Sequence, residues 1–342
     1  MAALPFGRSF VADYGDLDGE AASCRNDCAL FDFSFVARAQ VTGPDAAAIL
    51  KGFTTRSLDR LAAGRIAYAL HARPDGTLIS DLTIWNLGGG CFEVMTGRPA
   101  DLAALSQLTT AGSLEGLTEN TSIFALQGPN ALRMLDGLAD VQRLARLPYF
   151  AHCEAEVAGI ACRIGRLGYT GERGFELVLP REHAETVWQQ LAERARPAGI
   201  AAADRLRIEA GLALFVNEFA LPVTAGEAGL AHFAKPSATA ARLRLVCVRG
   251  AATKRPVLWQ PPETVTRPQQ PGCVTITSAC WSPFVGGVLA LGYALPADAE
   301  PRRRLLDPTG QFHELEVVAL PFYDSGKERP RGHWRMGDWT PV

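Results

Sequence analysis

Two carboxylates stand out by their surroundings. Glu176 lies within the apolar run Phe175 to Leu179, where an anion is costly to bury unless N–H donors meet it. It follows a turn with Gly168, Gly171 and Gly174 at three-residue spacing, and Tyr169 there offers an aromatic face with a polar tip. Glycines so placed allow positive φ or close approach to a ligand. From spacing alone the stretch is either a structural hairpin or a ligand site. Glu176 correspondingly meets a ligand's donors or pairs with an arginine such as Arg166 or Arg173. Asp81, in Gly76-Thr77-Leu78-Ile79-Ser80-Asp81-Leu82, reads on its own as a solvated aspartate beside a hairpin turn. Arg207 sits in an apolar-periodic stretch with Leu206, Ile208 and Leu212, an expensive place for a cation unless it is paired or reaches solvent. None of the six histidines falls in an H-E-x-x-H or Ser/His/Asp arrangement, and there is no strand-to-helix G-x-G-x-x-G. Gly88-Gly89-Gly90 is a turn, not a phosphate loop.

These residues need elements to position them. The apolar run Val157 to Ile164 predicts a buried strand entering the glycine turn, and Phe175 to Leu179 a strand leaving it. Ile66 to Leu70 and Leu78 to Leu87 read as strands joined by Pro74-Asp75-Gly76, with Phe92 to Met95 a third. Asp81, Thr83 and Trp85 then share one strand face. Ala37 to Val41 reads as a strand running through Thr42-Gly43-Pro44-Asp45 into a helix from Ala46 to Phe53. The same grammar recurs about 85 residues on, at Phe124-Ala125-Leu126-Gln127-Gly128-Pro129-Asn130 with Leu132, Met134 and Leu135 following. This suggests a duplicated α+β unit. Further helices are expected at Ala21 to Leu30, Ala100 to Leu105, Glu182 to Arg196 and Asp204 to Phe215. From Leu243 short β-like runs alternate with Pro- and Gly-rich turns, the pattern of a small all-β domain. The polar tail from Asp324 reads as loosely held.

Composition narrows the classes. The 342 residues are 48% hydrophobic and 20% charged, normal for a globular protein of two or three domains. A net charge of −2 and a pI near 6.3 give no electrostatic case for nucleic acid or an anionic membrane. No apolar stretch is long enough for a transmembrane helix, and a cytoplasmic protein is expected. The eight cysteines are expected to be free buried thiols. Cys24/Cys28 and Cys273/Cys280 lack histidines at zinc-ligand spacing, so no metal site is expected.

Gly168-Tyr169-Thr170-Gly171-Glu172, followed by Gly174-Phe175-Glu176, resembles the G-Y-T-G-E-x-G-F-E signature of the folate-binding aminomethyltransferase family, whose best-known member is the glycine-cleavage T-protein. The likeness covers roughly residues 28 to 323. It implies a three-lobed α+β fold with duplicated α+β folate-binding lobes and a C-terminal β-barrel. The boundaries expected are 1–240 for the folate-binding region, 241–325 for the barrel and 326–342 for a polar tail. It also implies one-carbon transfer from an aminomethyl or methyl donor to N5 of tetrahydrofolate or a related reduced pterin. Partners would be a small-molecule donor and, in the T-protein itself, a lipoyl carrier protein. The alternative on the same scaffold is a non-catalytic folate-binding regulator or an iron–sulfur assembly protein.

By the same resemblance Asp81 falls on the second aspartate of the G-G-x-x-D-D-L segment, which supports transfer by acid/base help and by stabilising a developing iminium-like cation. Glu176 would accept the two-donor edge of the pterin. Tyr68 and Tyr169 match tyrosines near the folate, and Thr83 and Trp85 match other wall positions, with core packing open for each of the four. Arg207, in Leu206-Arg207-Ile208-Glu209-Ala210-Gly211, matches L-R-L-E-A-G as a structural residue first and a folate-tail contact second. The chain departs from the pattern at Ser80, where the first aspartate stands, and at Ala203 and Asp324, where family members carry cations expected near the folate tail or the lipoyl-arm entrance. It has no counterpart of the N-terminal F-x-G-W-x-M-P segment. Ala234-Lys235-Pro236-Ser237-Ala238-Thr239 lacks the assembly branch's K-G-C-Y-x-G-Q-E mark.

Overall fold

The computed structural model describes residues 2–3, 9–110, 113–235, 240–256, 266–268 and 270–332. The comparison at Pro236 to Thr239 and the tail beyond 332 lie outside them.

Three sheets organise the described chain. Sheet I has five strands in the order Ile66–Ala72, Leu78–Gly88, Cys91–Thr96, Ala37–Thr42, Leu114–Gly116. Its first hairpin turns where the sequence suggests. Asp75 accepts from the Thr77 amide at 2.9 Å, and Gly76 takes φ +83, a left-handed position that suits glycine. Sheet II has six strands, His152–Val157, Ile160–Gly165, Gly174–Pro180, Thr121–Gln127, Ala29–Asp32 and Arg196–Ala198. Sheet III has five, Val274–Ser282, Gly287–Ala294, Arg244–Ala252, Phe312–Val318 and Arg304–Leu305, and begins where the sequence pattern changes.

The duplicated unit is visible in sheets I and II. Ala37–Thr42 runs through Gly43 into the helix Ala46–Phe53, and Thr121–Gln127 runs through Gly128 into the short helix Ala131–Met134. Both glycines have positive φ, +114 and +140. Three expectations are corrected. Val157 to Ile164 is not one strand, because Ala158 and Gly159 turn the chain at φ +54 and +77 between two antiparallel strands. The first helix is Leu17–Asn26, opened by Asp16 accepting from the Gly19 amide, and the chain is already extended by Ala29–Asp32. The helix near the end of the second lobe is Ile200–Glu209, starting earlier than the apolar period indicates.

Each sheet has its own apolar packing. Sheet I backs onto Leu50, Phe53 and Leu105, sheet II onto Leu132, Leu135, Leu144, Val187 and Leu191. Sheet III has Val246, Val274, Leu315 and Val317 on one face, and its other face joins the helix Ile200–Glu209 through Ile208, Cys280 and Leu291. Among the described residues no helix is long and apolar enough to cross a membrane, and no cluster of three potential metal ligands occurs.

Candidate functional site

A cavity of about 640 Å³ opens where sheet I, sheet II, the segment after the helix Ile200–Glu209 and the C-terminal segment meet. That volume suits a cofactor-sized ligand. Strand alternation puts Asp81 and Thr83 on the cavity face of Leu78–Gly88, with Tyr68 across the ladder opposite Thr83. Glu176 comes from the central strand of sheet II, paired to Ala125 and Gly165. Tyr68, Asp81, Thr83, Tyr169 and Glu176 all line this one space.

The three signature glycines have distinct local reasons. Gly168 and Gly174 clasp the Gln127 side chain, and a Cβ on either would stand inside its amide. Gln127 in turn donates to Leu167 O at 3.1 Å and accepts from Thr170 at 3.0 Å, tying the hairpin to the end of its neighbouring strand. Gly171 has φ +78 and packs on Ala210.

The two carboxylates differ in environment. Asp81 accepts from the Tyr68 hydroxyl at 2.9 Å. Burial pushes its carboxyl up to about 6 from the ordinary value near 3.8, and the Tyr68 bond partly offsets this. Burial first, and then the Asp81 charge, raise the Tyr68 phenol well above its ordinary value, so it stays an O–H donor. Glu176 has no hydrogen bond or ion pair among the described residues, and neither Arg166 nor Arg173 pairs with it. Burial alone pushes its carboxyl up to about 7. A carboxylate facing a cavity without a protein donor is suited to a ligand that brings its own N–H groups.

Trp85 and Arg207 lie outside this wall. Trp85 is fully buried against Gly165 and donates to Thr83 Oγ1 at 3.1 Å. It shares the face of Asp81 and Thr83 but lies further along the strand, where sheet II closes over it. Arg207 is fully buried between Asp204 at 2.8 Å and Glu218 at 2.7 Å, and donates to Ser278 Oγ at 2.6 Å. It joins the second lobe to sheet III. Ala203 is core, packed with Ala202 and Leu206, whereas Asp324 lines the cavity.

Several wall residues were not singled out from the sequence. Arg56 and Arg65 reach the cavity and donate to the carbonyls of Tyr68 and Tyr149. Phe150 has φ +57, held between the Arg166 carbonyl and the Ile66 amide. The segment from Asp324 is not loose as far as 332. Lys327, Pro330 and Arg331 line the cavity, Arg173 Nε donates to Arg329 O at 3.0 Å, and Arg166 donates to Gly332 O. Tyr323 seals this corner. Its hydroxyl donates to Glu172 at 2.5 Å, its ring lies under Arg25 at 3.7 Å, and Arg25 also pairs with Glu172 and Glu209. Two acids inside the recognised motifs, Glu172 and Glu209, were the sequence signal for this network.

Comparison with known proteins agrees in extent with this architecture. The GCVT N-terminal domain model matches residues 11–237, and the glycine cleavage T-protein C-terminal barrel domain model matches residues 244–324. An aminomethyltransferase of Streptomyces avermitilis is 32% identical, covering 91% of this chain and 90% of the relative. A probable aminomethyltransferase of Natronomonas pharaonis is 33% identical, covering 93% and 94%. The crystal structure of glycine cleavage system aminomethyltransferase T from Bartonella henselae superposes with a TM-score of 0.80 at 24% identity, covering 95% of this chain and 94% of that one. The last likeness concerns the fold.

Proposed function

The chain belongs to the glycine cleavage T-protein family of aminomethyltransferases, and from that premise we propose that its cavity carries out transfer of a one-carbon unit from an aminomethyl or methyl donor to tetrahydrofolate. The observation that supports this reading most is the unpartnered Glu176 carboxylate in a cavity that also holds the Tyr68–Asp81 pair. Reduced folate fits the donor set, because the 2-amino group and the adjacent ring N–H form a two-donor edge for Glu176 to accept. Such charge-assisted bonds contribute about 1.5–3 kcal/mol each. When bound, the folate supplies the acceptor nitrogen N5.

The protein's part is positioning and charge. Tyr68 and Tyr169 contribute ring faces to the wall, and Tyr169 is fixed by donating its hydroxyl to Ala213 O at 2.6 Å. Thr83 is held from behind by Trp85. Asp81, poised near pH 6 by burial, is ionised at neutral pH yet able to hold a proton, which suits both acid/base help and stabilisation of positive charge developing on the transferred carbon. Apolar walls from Phe33, Phe35, Met95, Leu167 and Phe233 limit water around it.

Asp81→Asn keeps the shape and removes the charge. Folate affinity should stay within a few-fold of the parent, and single-turnover transfer should fall by about 10²-fold or more. Equal transfer rates for the two proteins would remove the catalytic assignment. Folate binding with no donor supporting turnover would mark a binding protein instead.

A further inference from the structure

Thr83 stands between the two carboxylates of the cavity. Asp81, Thr83 and Trp85 follow one another on the same face of Leu78–Gly88. The Trp85 ring packs on Gly165, and Gly165 is the ladder partner of Glu176. Along the wall the order is therefore Asp81, Thr83, Glu176. These three line the cavity, and Trp85 lies behind them.

The Thr83 hydroxyl is oriented from behind. Trp85 is fully buried and its indole N–H can only donate, so Thr83 Oγ1 is the acceptor in their 3.1 Å bond. A hydroxyl has one hydrogen and two lone pairs. This bond takes a lone pair and leaves the hydrogen in need of an acceptor. Among the described residues Thr83 makes no second hydrogen bond, and the Tyr68 hydroxyl across the ladder is turned to Asp81. The Thr83 O–H is thus a donor held toward the cavity, beside a carboxylate on each side.

We infer that Thr83 is a specificity residue of this site, donating to the 4-oxo oxygen of the pterin ring. The inference rests on the folate reading above. Around the edge of a tetrahydropterin the 2-amino group, the ring N3–H, the 4-oxo carbon and N5 come in that order. With the 2-amino group and N3–H at Glu176, and N5 toward Asp81, the acceptor that falls between is the 4-oxo oxygen. Thr83 stands between the same two side chains. Glu176 then selects a ring edge that donates, and Thr83 selects an acceptor next to it. A ring with a 4-amino group offers Thr83 a hydrogen instead and leaves the threonine hydrogen unpaired, the kind of mismatch that polar sites reject.

Calorimetry with two ring probes tests it: 6-methyltetrahydropterin, which carries the 4-oxo oxygen, and 4-amino-6-methyltetrahydropterin, which carries an amino group there. The 4-amino ring also alters the edge that Glu176 meets, so the decisive quantity is the change that each probe shows on mutation. Thr83→Val keeps the shape and removes the hydroxyl. It should weaken the 4-oxo probe by about fivefold or more and the 4-amino probe by less than about twofold, whereas Thr83→Ser should bind both as the parent does. Equal losses for the two probes would make Thr83 a packing residue and overturn the assignment. Thr83→Val binding the 4-oxo probe as well as the parent, while Glu176→Gln weakens it, overturns the role of Thr83 alone. A parent that binds neither probe overturns the folate reading with it.

Discussion

Glu176→Gln should give a more stable protein that binds folate less well. Burial pushes the Glu176 carboxyl from its ordinary value near 4.5 up to about 7. A carboxyl with a raised folded-state pKa binds its proton more tightly in the native state than in the unfolded chain. Its favourable contribution is therefore fully present below the unfolded value and lost as pH rises through the folded one. At about 1.4 kcal/mol per pH unit, the penalty reaches roughly 3 kcal/mol above pH 7 and is under about 1 kcal/mol at pH 5. Glutamine has no charge to desolvate, so the stability gap between variant and parent should widen by about 2.5 kcal/mol between pH 5 and pH 8.

Urea unfolding followed by tryptophan fluorescence at the two pH values measures that gap. Ligand should narrow the gap at pH 8 without closing it. At a concentration one hundred times its Kd for the parent, folate adds about 2.7 kcal/mol to the parent. A variant bound ten- to a hundredfold more weakly gains only about 0.4–1.4 kcal/mol. Binding by the parent near pH 7 should also release a proton, because the acceptor form of Glu176 is the ionised one. A gap that does not change with pH, or a variant less stable than the parent at pH 8, would show that Glu176 has a protein partner and would refute the reasoning.

Three further outcomes follow from the same structure. Ser80 is fully buried and its hydroxyl donates to Asp101 at 2.5 Å, so Ser80→Asp, which restores the family pattern, should destabilise by about 3 kcal/mol through two facing buried carboxylates. The loss in urea unfolding should be smaller at pH 5 than at pH 8, and equal losses would count against it. Gly168→Ala should cost about 1–3 kcal/mol in the same assay by displacing Gln127, whereas an unchanged midpoint would mean the clasp is slack. Arg207→Met should cost about 3–5 kcal/mol by leaving Asp204 and Glu218 without their buried cation, and a neutral result would show that the two carboxylates take up protons at little cost.

Much of the site could be read in the sequence because it lies on regular strands. Alternation alone puts Asp81 and Thr83 on one face, and the Pro74-Asp75-Gly76 turn sets the register that brings Tyr68 opposite Thr83. Alternation does not say where along a strand a cavity ends. Trp85 continues the same face, and only the approach of Gly165 from sheet II, 80 residues on in sequence, makes it core. Arg207 shows the same limit in a helix. Its expense was legible, but two of its partners, Glu218 and Ser278, come from beyond the helix, and Ser278 from sheet III. The burial of one residue is settled by chain that its own neighbourhood does not contain.

The C-terminal segment marks the furthest reach of that limit. Its composition is polar and charged, and nothing in its periodicity asks for packing. It is held largely through backbone groups, by Arg173 to Arg329 O, Arg166 to Gly332 O and the Tyr323 amide to Glu209 O, with the Arg329 side chain also pairing with Glu172 at 3.6 Å and lying over the Tyr323 ring. Carbonyls and amides are the same at every position, so a contact of this kind leaves little trace in residue type. A departure from a family pattern is then weighed by what the rest of the chain does around it. Ser80, Ala203 and Asp324 each look like losses when taken singly. In the structure the first is bonded to Asp101, the second is packed in the core and the third forms a turn.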